Sequence, residues 1–184
     1  MSLVKNVLQG INVEQIIKKS VSDSIKQQTK NMKLEESYVS EPKSFKQVSE
    51  RVSQQTKTAH TELYSEYIAS LNSVSSKLDT VERNESNPRS SEFASLKRDE
   101  AYNLNAKWLH ELYFANCFDP HSEISMDTNS YMKLQRDFGT FDDWQRDFLS
   151  CALAAGEGWA VCAFSVHLQR YINVIINGHS DNVM

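Results

Sequence analysis

Residues Lys107 to Cys117 read KWLHELYFANC, which sets one imidazole, His110, inside a run of aromatic and apolar side chains. An imidazole in that setting has two readings: a histidine satisfied within a helical core, or a nitrogen donor to a metal ion. His60, in HTELYSEYIASLN, lies on a second apolar helical stripe, and two imidazoles on facing helices are a start on a metal site. His179, in the closing stretch NGHSDNVM, also falls where a pocket can form. His121, in the polar DPHSE loop, and His167, between two apolar runs, read as solvated. Neither His60 nor His110 belongs to an HExxH pattern, so a zinc-protease reading has no support.

The elements that must position these residues are mostly helical. From near Phe45 to Val81 the periodicity predicts helix, with Val48, Val52, His60, Tyr64, Tyr67 and Leu71 on or near one stripe. The polar stretch ERNESNPRSSE, with Pro88, predicts a loop. A second helix is expected from about Phe93 to Phe118, and a short one from Tyr131 to Asp137. In FGTFDDWQRDFLSCALAAGEGW, Thr140 and Asp143 form a capping box. Phe141, Trp144, Phe148, Cys151 and Leu153 give that helix an apolar face, and Gly156 and Gly158 stop it. WAVCAF and RYINVII, joined through SVHLQ, then predict a β-hairpin. Helices followed by the first strands of an antiparallel sheet make an α+β plan.

The charge is divided unevenly. Residues 1–34 hold six lysines against Glu14 and Asp23, a balance of +4, within a chain whose net charge is −4. Val4, Val7, Leu8 and Ile11, then Ile17, Val21 and Ile25, fall at helical spacing, with Gly10 between the two pieces and Asn12 with Gln15 as a cap. This stripe is too narrow to make its own core. It reads either as a helix lying on its own domain or as a basic arm that docks on a partner. The expected organisation is an amphipathic arm and linker over 1–44, a helical-hairpin part over 45–125, and a helix with a partial antiparallel sheet over 126–184. The acidic balance argues against nucleic-acid binding. Without a long apolar run no membrane span is expected, and the N-terminus lacks a secretory h-region. Cys117, Cys151 and Cys162 are three, far apart and in apolar company, so they read as reduced thiols in a cytoplasmic setting.

Three stretches, in this order and at these intervals, carry a family resemblance. HTELYSEYIASLN resembles the first-helix motif of the iron/manganese superoxide dismutases. LKRDEAYNLNAKWLHELYFANC resembles their second-helix motif, and RDFGTFDDWQRDFLSCALAAGEGWAV their later helix, Gly-Trp turn and first strand. The resemblance covers Phe45 to Met184. It implies that His110 and His60 are metal ligands and that Tyr67 gates substrate entry. It further implies that Trp159 walls the pocket and that His179 stands at an outer-sphere position bonding the metal-bound solvent. The cofactor it implies is iron or manganese, and the substrate superoxide, alternately reduced and oxidised at one ion.

Two features depart from the family pattern. The interval from His60 to Tyr67 is one residue shorter than usual, and an ungapped register would put Ala59 at the first ligand position. A separation of seven nonetheless keeps His60 and Tyr67 on one helix face. The family's other two ligands, an aspartate and a histidine in a DxWEHAY-like motif, are also absent from these 184 residues, with the third strand and closing helix. The last strand is then expected to present an open apolar edge, which calls for a protein partner or a further segment. Two readings follow. One is a superoxide dismutase completed by donors from another chain. The other is a non-catalytic subunit of the same fold, without metal, in a large assembly of the virion or mitoribosome type.

Overall fold

In a computed structural model of the chain, the described residues are 17–24, 38–46, 50–84, 86–118 and 124–180. The chain divides into two compact units, Met1–Glu36 and Ser37–Met184. In the first, residues 17–24 are helical (α1), with Ile17 and Val21 exposed one turn apart. Val4, Val7, Leu8, Gly10, Ile11, Asn12, Gln15 and Ile25 lie outside the described residues, as does His121.

The second unit begins with an α-hairpin. Helix α2 spans Gln54–Thr80 and α3 spans Glu92–Phe118. The periodic pattern predicts helix from near Phe45, but α2 starts later because Ser53 is its N-cap, its side chain accepting from Thr56 N. Upstream, residues 38–46 run extended. At the start of α3 the Ser91 hydroxyl accepts from Ala94 N at 3.1 Å. On α2 one stripe is buried: Tyr64, Ile68, Leu71, Val74, Ser75 and Leu78. It packs on α3 in two clusters. Tyr64 and Ile68 meet Phe114 near the middle, and Val74 and Leu78 meet Leu96 near the loop.

The residues read as the end of a linker form a strap along this hairpin. Tyr38 N donates to Ser75 Oγ at 2.8 Å, and Ser40 N donates to Asn72 Oδ1 at 2.7 Å. Asn72 Nδ2 donates back to the Ser40 carbonyl at 3.0 Å. Lys43 N donates to the Tyr64 hydroxyl, and Phe45 packs against Tyr64 and Phe114. An extended chain has no helical ladder, so these side-chain bonds satisfy its backbone instead.

The remaining elements are α4 (Asn129–Phe138), α5 (Phe141–Ala154), β1 (Trp159–Ser165) and β2 (Arg170–Ile176). Thr128 caps α4, and Thr140 caps α5 by accepting from Asp143 N at 3.0 Å. Gly139 ends α4 with φ 93°, which a residue with a side chain adopts only under strain. The strands pair antiparallel from Trp159 opposite Ile176 to Ser165 opposite Arg170. Among the described residues the sheet has these two strands, so the outer edge of β2 has no neighbouring strand. Asp137 at the end of α4 accepts from Tyr171 N at 2.7 Å, and Asn173 Nδ2 donates to Asp147 of α5 at 2.8 Å, fastening both helices to β2. Among the described residues, no hairpin helix packs along α4, α5 or the sheet, and the two halves of the unit meet at Trp159 and at the turn carrying His179. No helix among the described residues is long and apolar enough to cross a membrane.

Candidate functional site

His110 lies on the hairpin-facing side of α3 and is 2% exposed. Its Nδ1 is 2.8 Å from the Ala106 carbonyl one turn earlier. A carbonyl can only accept, so Nδ1 carries the proton and the lone pair stands on Nε2. Burial holds the His110 pKa below its ordinary value; the bond to Ala106 opposes this, while His60 and His179 add to it. The ring is thus a neutral nitrogen donor, the form that ligates metals.

Around it stand the other residues singled out from the sequence. His60, from α2, lies with its ring centre 5.7 Å from that of His110, and its Nδ1 is buried without a hydrogen-bond partner. Ala59 is exposed, so the helix turns His60 and not Ala59 toward the hairpin interior. Tyr67, also from α2, lies 5.5 Å from His110. Trp159, the first residue of β1, meets His110 edge-on at 5.0 Å. His179, in the turn after β2, lies 5.9 Å from His110 and 5.0 Å from Tyr67. Both its ring nitrogens are buried without a partner, and burial lowers its pKa. The five residues gather at one place where the two halves of the unit meet. His167 is exposed at the hairpin tip.

Gly158 allows this approach. A Cβ there would stand 2.2 Å from the Ile176 carbonyl oxygen, so only glycine lets the chain pass close to β2 before Trp159. A cleft of about 520 Å³ opens beside the site, lined by Tyr67, Tyr102, Glu157, Asn177, Gly178 and His179 among others. Burial first, then the neighbouring Tyr102 hydroxyl, pushes the Tyr67 phenol above its ordinary pKa, so it is a protonated donor at neutral pH.

Sequence reasoning missed Tyr102, Asn105, Tyr113 and Glu111. Tyr113 lies 5.1 Å from His60, ring to ring. Asn105, buried on α3, donates to the His179 carbonyl at 3.0 Å. The signal available for Asn105 is its polarity within a helix otherwise apolar at that face. Glu111 is the buried carboxylate next to His110, and it is taken up elsewhere. Tyr64 OH donates to it at 2.9 Å, Lys43 Nζ at 2.7 Å and Lys107 Nζ at 3.1 Å. Burial opposes its charge, and these bonds outweigh burial and lower its pKa.

As a donor set for iron or manganese, this arrangement fits in part. His60 and His110 suit such an ion, and the orphaned His60 nitrogen is the kind of buried atom that a ligand satisfies. No group of three or more histidine, cysteine, aspartate or glutamate side chains comes together as a metal site among the described residues.

Fold and site together define an α+β protein in which imidazoles from a helical hairpin face a tryptophan and a histidine from a small antiparallel sheet. No family model matches the chain. It is 33% identical over 87 residues to an iron superoxide dismutase of Cupriavidus metallidurans, covering 46% of this chain and 43% of the relative. To the iron superoxide dismutase of Aquifex pyrophilus it is 28% identical over 118 residues, covering 62% and 53%. To a manganese superoxide dismutase of Haloferax mediterranei it is 23% identical over 119 residues, covering 64% and 79%. Over these stretches the chain is similar to iron and manganese superoxide dismutases, and it spans about half the length of the two iron relatives.

Proposed function

We propose that this chain supplies the hairpin half of a superoxide dismutase centre, with His60 and His110 as two nitrogen donors to iron or manganese. The remaining donors, an aspartate and a histidine, come on this reading from a segment outside the 184 residues, which also covers the free edge of β2. The observation that carries it is the state of His110: buried, neutral, its Nδ1 engaged by Ala106, with His60 facing it across the hairpin. The metal, when bound, supplies a one-electron redox couple. The chain's own residues hold the surroundings. Trp159 packs edge-on to His110 and keeps water from that side. Tyr67 holds a phenolic proton beside the cleft, where a reduced product needs one. His179 offers two unsatisfied ring nitrogens next to it.

The test is metal content by mass spectrometry on the native protein, together with the mass of every chain that co-purifies. About one iron or manganese per chain, with His110→Ala and His60→Ala each lowering it at least ~10-fold, is expected. Ala59→Ser, on the exposed face, leaves it unchanged. Absence of metal from the native protein, or retention in His110→Ala, would remove this centre.

A further inference from the structure

Three rings meet at the inner end of the cleft. Tyr67 and Tyr102 lie 6.0 Å apart, Tyr67 and His179 5.0 Å, and Tyr102 and His179 5.1 Å, each pair edge to face. They come from three parts of the chain: α2, α3 and the turn after β2. Tyr102 is the outermost, 37% exposed, whereas His179 is 7% exposed. One turn along α3, Asn105 holds the His179 backbone carbonyl, so one face of α3 grips this turn at both backbone and ring. No hydrogen bond fixes the His179 ring, since both its nitrogens lack a partner. Its rotation is therefore set by the rings around it, and aromatic edges prefer a defined geometry.

We propose that Tyr102 is a positioning residue of this site. Its ring, seated edge-on against both Tyr67 and His179, orients the two proton-bearing side chains that line the cleft. This rests on the dismutase reading above only for its catalytic consequence; the orienting role belongs to the metal-free chain as well. Tyr67 and His179 are the groups that touch the reacting species, and Tyr102 acts through them. A side chain of the wrong shape at 102 leaves the metal donors in place and frees the imidazole.

The experiment compares Tyr102→Phe, which keeps the ring, with Tyr102→Leu and Tyr102→Ala, which remove it. Imidazole 15N–1H spectra of the full chain report the His179 ring. Tyr102→Phe is expected to leave the His179 signals and their cross-relaxation with Tyr67 in place, while both ring-free variants shift or broaden them. In the completed complex, the ring-free variants lower kcat roughly tenfold at unchanged metal content and KM, and Tyr102→Phe restores it. Leu fills most of the space, so the comparison holds even where the alanine variant fails to fold. Unchanged His179 signals in Tyr102→Leu overturn the proposal. So does a Tyr102→Phe variant that loses them, because the hydroxyl and not the ring is then responsible. Loss of metal and activity from the wild-type complex overturns the dismutase reading instead, and the spectra still decide Tyr102.

Discussion

Asp137 is held by charge as well as by hydrogen bonding. Arg136 approaches it through Nε at 2.5 Å and Nη2 at 2.9 Å, and Tyr171 N donates to Oδ2 at 2.7 Å. The Arg136 guanidinium, the Tyr171 amide and Arg170 keep the carboxyl at about 2, below the ordinary aspartate value. The sign follows from linkage. A carboxylate whose folded pKa is depressed stabilises the fold above its unfolded pKa, and that contribution is lost as pH falls through the folded value. Asp137→Asn is therefore expected to lower the urea midpoint most at neutral pH, and the gap to wild type should close between about pH 4 and pH 2. A gap that does not change with pH would mean that hydrogen bonding alone ties α4 to β2. At this scale the candidate ligands were legible in the sequence, because His60 and His110 sit on apolar stripes with helical spacing. The choice between Ala59 and His60 was not legible from spacing against relatives. The structure shows only that His60, and not Ala59, shares a face with the buried Tyr64.

Elements punctuated by capping residues were read closely from the sequence. The Thr140 cap, the turn at Gly156 and β2 over Arg170–Ile176 all stand where the pattern puts them, because each depends on residues within a few positions. The strap over 38–46 was not legible. Its sequence contains Pro42, and its backbone N–H groups bond to Ser75, Asn72 and Tyr64, from 21 to 37 residues away. No local period records such contacts. Tyr102 escaped notice for the same reason, since its meaning lies in a turn more than seventy residues later. Gly158 has a sharper role than stopping a helix. Gly158→Ala places a methyl group against the Ile176 carbonyl and is expected to cost about 1–3 kcal/mol. It should also shift Trp159 relative to His110, which tryptophan fluorescence and urea unfolding together report. A variant as stable as wild type, with unchanged emission, would show that β2 yields without effort.

For the unit as a whole, the arrangement of its halves matters more than the size of its core. The hairpin buries Tyr64, Ile68, Leu71, Leu78, Leu109 and Phe114, whereas α5 buries no residue fully. With the helices of one half not packed along the elements of the other, the described residues are expected to unfold in two calorimetric steps, the sheet half first. A single transition whose calorimetric and van't Hoff enthalpies agree would contradict this. The same layout gives the pocket two walls of unequal permanence. His60, His110 and Tyr67 belong to the hairpin and stay together whatever the sheet does. Trp159 and His179 belong to the other half and come to the site only when the halves are closed. Prying the sheet away would leave His60 and His110 together and strip off Trp159 and His179 at once. How tightly the sheet half closes thus sets how sealed the pocket is, without a change in any residue inside it.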